Sequence, residues 1–145
     1  MIALDTNILV HAHREDSDFH EPARDRLQHL ANAGAPWAIP WPCIHEFLAV
    51  VTHPRIWRPP TPLGVALAAV EALRAAPSLV LLGETEGYWE QLRAALDAGR
   101  IVGPRVHDAR VATLCLLHGV NELWSADRDF LAFPALRVRN PLVAG

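Results

Sequence analysis

The 145-residue sequence contains no lysine, so arginine supplies all 13 of its permanently basic side chains. The planar fork of arginine fits phosphate through two parallel hydrogen bonds. The formal net charge is nevertheless −3, which argues against the strongly basic class of nucleic-acid binders. Alanine, proline and leucine are abundant, so biased codon usage explains the missing lysine better than selection for phosphate binding does.

Cysteines and long hydrophobic runs are also scarce. The only cysteines, Cys43 and Cys115, lack a paired spacing and lie in apolar stretches, so we expect two small buried thiols in a reducing compartment. Residues 1–5 enter a buried strand at once, which leaves no room for a signal segment, and no apolar run approaches membrane-spanning length. We therefore expect a cytoplasmic protein without a membrane partner.

The length is typical of one domain, and we expect residues 1–145 to form it. A domain of this size buries roughly 68–70% of the surface that its unfolded chain exposes, so it needs no disulfide or structural metal. Any metal is therefore expected to serve function.

Strands and helices alternate along the sequence, which predicts an α/β fold with a central, mostly parallel sheet flanked by helices. Thr6 and Thr61 are the expected caps of two of these helices. The predicted strands cover residues 2–5, 37–39, 79–82, 122–124 and 136–138, and the predicted helices cover residues 7–13, 21–33, 44–51, 63–75, 86–98 and 104–117. A turn is expected at residues 125–129.

Four acidic residues fall where such a fold places ligands. Asp5 ends the first strand and Asp127 follows the strand that ends at Trp124, and ligands of parallel sheets bind at the carboxyl ends of strands. Asp108 and Glu46 lie in the first turns of their helices. Alone, each acid fits a helix cap or a turn. Because Asp5 and Glu46 stand within apolar runs, a shared site is the better interpretation.

Clustered carboxylates require a counter-charge. Two of them 4 Å apart repel by about 4 kcal/mol at an effective dielectric of ~20. A divalent cation relieves this repulsion, and an all-oxygen set of ligands suits Mg²⁺ or Mn²⁺ better than zinc. Such ions activate water and stabilise charge on phosphate, so the predicted chemistry is phosphodiester hydrolysis.

Four segments, Leu-Asp-Thr-Asn-Ile-Leu at 4–9, His-Glu-Phe at 45–47, His-Asp-Ala-Arg-Val-Ala at 107–112 and Ser-Ala-Asp-Arg-Asp-Phe at 125–130, resemble the acidic signatures of PIN domains in order and spacing. The whole chain is similar to VapC-type toxin ribonucleases, in particular those with Pro-Trp-Pro-Cys before the glutamate (40–43) and Arg-Asn-Pro-Leu near the end (139–142).

This resemblance implies a three-layer PIN-like fold, a homodimer, and Mg²⁺- or Mn²⁺-dependent endonucleolytic cleavage of transfer or ribosomal RNA. It also implies a small VapB-like antitoxin that blocks the site and helps to bind operator DNA. The matching catalytic and metal-binding residues are Asp5, Glu46, Asp108 and Asp127, with Asp129 as a fifth acid whose contribution varies, and with Thr6, Asn7 and Ser125 in support.

Other polar and aromatic side chains are assigned by position. Arg110 and Arg128 flank the acids and are the candidates for contacts with RNA phosphates. His107 is expected to be peripheral, because its neighbour Asp108 points about 100° away on the helix. Trp37, Trp41 and Trp124 are expected in the core, whereas Trp57, near a proline-rich loop, is the candidate for stacking on a base.

Two alternatives stay open from the residues alone. An aspartyl-phosphate phosphotransferase also begins with a strand ending in aspartate, but it needs a second aspartate where Asn7 stands, and a lysine. A degenerate PIN domain that only binds RNA or protein is the other alternative. The repulsion among four clustered acids without metal argues against it.

Overall fold

Five parallel strands form the centre of the computed structural model, which describes residues 1–143 apart from the side chain of Leu131. The last two residues of the expected 1–145 domain lie outside the described residues. The strands are β1 (Ile2–Leu4), β2 (Trp37–Pro40), β3 (Leu79–Leu82), β4 (Glu122–Trp124) and β5 (Arg137–Arg139), in the sheet order β3-β2-β1-β4-β5. Every pairing among them is parallel, so the expected sheet is confirmed.

Helices flank this sheet, as the alternation of elements predicted. Helix α1 packs against α2 and α3, and α5 packs against α6. The helices are α1 (Thr6–His13), α2 (His20–Asn32), α3 (Trp41–Val51), α4 (Leu63–Arg74), α5 (Tyr88–Gly99) and α6 (Arg105–Leu117). A 3-10 helix at Arg128–Ala132 takes up part of the segment that was expected to be a turn. None of the helices within residues 1–143 is both long enough and apolar enough to cross a bilayer.

Both threonine caps were predicted wrongly. Asp5 caps α1, because its extended backbone lets its carboxylate accept a hydrogen bond from the backbone N–H of Thr6 at 2.8 Å. Pro62 precedes α4 without a side-chain cap, while the hydroxyl of the buried Thr61 accepts a hydrogen bond from Arg14 at 3.2 Å. Thr61 therefore ties the proline-rich loop to the end of α1.

The interior is one continuous apolar cluster around β1, β2 and β4. Cys43 and Cys115 are buried free thiols, and Trp37 and Trp124 lie in the core, all as expected. Trp41, in contrast, does not lie in the core. It is 36% exposed, because it is the first residue of α3, at the end of the sheet.

The strand order reverses between β1 and β4, because later strands are added on opposite sides of β1. From β1 the sheet extends to β2 and β3 on one side and to β4 and β5 on the other. The register pairs Leu4 with Trp124, and the N–H of Asp5 donates to the carbonyl of Trp124 at 3.0 Å. The loops after β1 and β4 therefore leave the sheet side by side, which is where parallel sheets bind ligands.

Core packing at this point is testable with two leucines. Leu123 on β4 is fully buried, whereas Leu63 at the start of α4 is 64% exposed. We expect Leu123→Ala to lower the free energy of unfolding by about 2–5 kcal/mol and Leu63→Ala by less than about 0.5 kcal/mol. Urea unfolding followed by circular dichroism measures both, and equal losses would contradict the core described here.

Candidate metal centre

Asp5 is the most enclosed acid of the site. Its side chain is only 7% exposed, and it lies where β1 gives way to α1. Besides the N–H of Thr6, its carboxylate accepts hydrogen bonds from the Ser125 hydroxyl at 2.7 Å, the Asn7 amide at 3.3 Å and the Cys43 thiol at 3.5 Å. Burial raises the pKa of Asp5, and the hydrogen bond from Ser125 is the largest opposing influence.

Ser125 and Asn7 join the loop after β4 to the first turn of α1. The Asn7 amide donates to the Ser125 hydroxyl at 3.2 Å, and its carbonyl oxygen accepts from the N–H of Ala126 at 3.1 Å. The Ser125 hydroxyl also accepts from the N–H of Asp127 at 2.9 Å. Two segments about 120 residues apart in sequence are thereby fixed to each other.

Asp108, Asp127 and Asp129 form a tight carboxylate triplet. One oxygen atom from each residue lies within 4.8 Å of one oxygen atom from each of the other two. Asp127 also caps the 3-10 helix by accepting a hydrogen bond from the N–H of Asp129 at 2.8 Å. The short helix therefore directs both aspartates of this loop towards Asp108, which comes from the first turn of α6.

The acidic quartet meets at one cavity of 170 Å³. Asp5, Glu46, Asp108 and Asp127 all line it, together with Thr6, Asn7 and His107. Glu46 was expected in a buried run, but it is exposed, because it stands on the solvent side of α3. The Thr6 hydroxyl donates to its carboxylate at 3.3 Å. The convergence predicted from sequence is therefore present, with Glu46 at the mouth of the cavity.

The negative charges of the carboxylates in the cavity repel one another unless a cation neutralises them. The pKa of Asp108 is raised to about 6, first by burial and then by the charges of Asp127, Asp129, Asp5 and Glu46. A hard divalent cation fits this donor set, because all the side chains are carboxylates and the triplet brings three oxygen atoms within reach of one ion. The carboxylates of the cavity therefore have the chemistry that Mg²⁺ or Mn²⁺ requires of its ligands.

A wider cleft of 600 Å³ shares Glu46, His107 and Asp108 with the acidic cavity and is also lined by arginines. Arg105, Arg110, His45 and His107 line it, and Glu46, Asp108 and Asp129 lie on its acidic side. Arg110 forms an ion pair with Glu84 at 3.1 Å, and its buried Nε has no hydrogen-bond partner within the described part of the chain. Arg128, the other expected phosphate contact, is exposed on the 3-10 helix.

Sequence reasoning missed three side chains of this region. Cys43 was given no role, yet its thiol contacts Asp5, and neither Arg105 nor His45 was expected to line the cleft. Cys43 precedes Glu46 by three residues and Arg105 precedes Asp108 by three, and residues at this spacing are neighbours on a helix surface. Helical spacing around each acid was therefore a usable signal.

Comparisons with known proteins match nearly the whole chain. The sequence model of the PIN domain matches residues 2–136. The chain is 39% identical to Ribonuclease VapC43 of Mycobacterium tuberculosis (strain ATCC 25618 / H37Rv) over 146 residues, covering 98% of this chain and 96% of that protein. It is 35% identical to Ribonuclease VapC48 of the same strain over 138 residues, covering 94% of each.

Solved structures with the same fold are more distant in sequence. Mycobacterium tuberculosis VapC20, described as a toxin that cleaves the sarcin-ricin loop, superposes with a TM-score of 0.70 at 19% identity and covers 97% of this chain and 100% of its own. A chain of VapBC2 from Rickettsia felis, crystallised with a DNA fragment of its promoter, gives 0.67 at 21% identity, covering 97% and 98%. The expected PIN-like three-layer α/β fold is confirmed.

The repulsion on Asp108 predicts a pH-dependent stability. Its carboxyl is protonated in both the folded and the unfolded metal-free protein below the ordinary pKa of 3.8, and it is ionised in both above about 6. The favourable contribution of the protonated form is lost as the pH rises between these values. Asp108→Asn should therefore stabilise the metal-free protein above pH 6 by about 1 kcal/mol, after allowance for screening by water.

Thermal unfolding in EDTA across this pH range measures the difference between Asp108→Asn and the parent protein. The exposed Asp18→Asn is the matched control, because Asp18 lies outside the acidic cavity. A difference for Asp108→Asn that is the same at pH 3 and pH 8 would contradict the crowding of charges described here.

The Ser125 hydroxyl predicts a second stability effect. Ser125→Ala removes a donor to the buried Asp5 and an acceptor for two N–H groups, so we expect the free energy of unfolding to fall by about 1–3 kcal/mol. Ser125→Thr keeps the hydroxyl and should retain most of the stability. Chemical unfolding compares the two variants, and equal losses would show that bulk, and not the hydroxyl, matters at this position.

Proposed function

Since this chain belongs to the PIN-domain family and to its VapC ribonucleases, we propose that it is an Mg²⁺- or Mn²⁺-dependent endoribonuclease acting as the toxin of a toxin–antitoxin pair. The observation that carries this proposal is the convergence of Asp5, Glu46, Asp108 and Asp127 on one cavity. These four are the proposed catalytic and metal-binding residues, and Asp129 adds a ligand through the triplet. The domain is proposed to be single and to act in the cytoplasm.

The metal and the side chains have different roles in the proposed hydrolysis. The carboxylates would hold Mg²⁺ or Mn²⁺, which when bound would supply activation of the attacking water and a counter-charge for the phosphate. Asp5 keeps one orientation because Ser125, Asn7 and the N–H of Thr6 hold both of its oxygen atoms. Asp127 is fixed in the same way by its capping bond to the N–H of Asp129.

Positive side chains next to the acids hold the RNA backbone in this proposal. Arg110 lines the cleft and is held by its ion pair with Glu84, so it is a proposed contact for a phosphate of the RNA. Arg128 lies at the exposed end of the 3-10 helix and is placed for a phosphate farther along the strand. The substrate is proposed to be a structured transfer or ribosomal RNA, and VapC20 is described as cleaving the sarcin-ricin loop.

The partners follow from the same family. We expect a homodimer, and a VapB-like antitoxin through which the complex binds operator DNA, as in the Rickettsia felis complex. An apolar groove of 320 Å³ lies among α1, α2, α3 and α4 and shares no lining residue with the acidic cavity. We propose it only as a surface on which a protein partner could dock. Leu9, Leu27, Phe47 and Leu73 are among the apolar residues that line this groove.

The decisive experiment is cleavage of total RNA by the purified protein with Mg²⁺ or Mn²⁺ and with EDTA, with the 5′ ends mapped. Asp5→Asn and Asp108→Asn should each reduce cleavage at least about 100-fold, because each removes a charged ligand from the cavity. Asp18→Asn, which changes an exposed aspartate, should cleave like the parent protein.

Calorimetric titration with Mn²⁺ establishes that the protein is loaded with metal, so that the cleavage assay can separate the proposed enzyme from the binding-only alternative. Metal-dependent cuts at discrete sites, lost in both site variants, would support the nuclease. A folded protein that binds Mn²⁺ and RNA but makes no cuts would instead be a binding module.

A further inference from the structure

An exposed aromatic surface lies next to the acidic site. Trp41 is 36% exposed at the start of α3, in contrast to the buried Trp37 and Trp124. Trp57 has one face covered, since the guanidinium of Arg14 lies 4.8 Å from its ring centroid. Trp41 is thus the tryptophan beside the site whose ring is open to a ligand.

Two neighbours give the Trp41 ring a defined position. His45 follows one helical turn later, and its ring lies 6.2 Å from the indole with an angle of 31° between the planes. Gly83, just after β3, also lies beside the indole, since a Cβ at this glycine would be in ordinary van der Waals contact with Cδ1 of Trp41 at 3.6 Å. The two exposed rings are therefore neighbours on the surface of α3.

This surface continues into the wide cleft that holds the acids. Pro42 and His45 line the cleft together with Glu46, and Arg105 and Arg110 line it beyond the acids. Trp41 itself lies outside the cleft lining, since it precedes Glu46 by five residues, about 7.5 Å along the helix axis and about 140° around it. His45 links the Trp41 ring to the cleft, because it packs beside the indole and also lines the cleft.

We infer that Trp41 and His45 form a stacking subsite for one unpaired base of the RNA beside the cleaved phosphodiester, while Arg105 contacts a phosphate of the same strand. The inference rests on the proposed ribonuclease function. Aromatic side chains next to arginine are the usual means of binding unpaired nucleotides. They are needed here because the net charge is −3, and the acids repel the RNA backbone. Bases stacked within a duplex are not available to Trp41, so the cut falls in a loop or another unpaired segment.

Fluorescence anisotropy with labelled short single-stranded RNA tests the inference without cleavage, using the Asp5→Asn protein in Mg²⁺. Adding Trp41→Leu should weaken binding about 5- to 100-fold, the range typical of one lost stacking contact. Trp41→Phe retains an aromatic ring and should recover most of the affinity. Trp89→Leu is the matched control, because Trp89 is 60% exposed on α5 and no residue of α5 lines the cleft, whereas the neighbour of Trp41, His45, does.

The same RNA made with abasic nucleotides distinguishes stacking from other causes. Trp41→Leu should not weaken binding of this abasic RNA, because the RNA has no base that could stack on the Trp41 ring. An equal loss with both RNAs, or no loss with either, would overturn the inference. So would a change of Trp41→Leu from dimer to monomer in sedimentation with unchanged RNA binding, which would make this surface an interface between copies of the chain.

Cleavage of total RNA by the unaltered protein tests the proposed function separately. Cleavage without any dependence of RNA binding on Trp41 would keep the nuclease and remove the stacking subsite. Base-dependent binding through Trp41 by a protein that does not cleave would keep the subsite and remove the nuclease.

Discussion

Mutual repulsion among carboxylates is the constraint on which the arrangement of this molecule depends. Asp5, Glu46, Asp108 and Asp127 come from four separate places in the sequence, and the fold brings them to one small cavity at the end of the sheet. The pKa of Asp108 is raised by burial and by the neighbouring carboxylates, which shows that keeping all of these groups charged is unfavourable. An apolar core around the central strands offsets that cost, and its rigid packing keeps the acids from moving apart.

Hydrogen bonds decide which acids keep fixed positions within this crowded site. Asp5 and Asp127 each cap the helix that follows them, so the interaction that starts a helix also orients a carboxylate. From sequence, a cap and a site residue look like alternatives, but at these two positions one side chain does both. Ser125 connects the two acids, because its hydroxyl donates to Asp5 and accepts from the N–H of Asp127.

Patterns of apolar residues predicted the order of the elements and the parallel sheet, and the resemblance to PIN domains predicted the acids that meet at the cavity. The errors concern properties that depend on tertiary contacts. Thr61 does not cap α4, and its hydroxyl instead accepts a hydrogen bond from Arg14. Glu46 and Trp41 are exposed because they lie on the solvent side of α3. The membership of Asp129 in the triplet depends on a 3-10 helix that no periodicity indicated. The catalytic roles of these residues remain predictions.

The hydrogen bond between Ser125 and Asp5 joins residues 120 positions apart, and this separation has a consequence for synthesis of the protein. Contacts between distant parts of a chain form late in folding, because a long loop must close first. A nascent polypeptide that ends before β4 contains Asp5, Glu46 and Asp108 but neither Asp127 nor the hydroxyl that holds Asp5. The ribosome that makes this chain is therefore not exposed to a complete acidic centre until β4 and the loop that follows it have been synthesised.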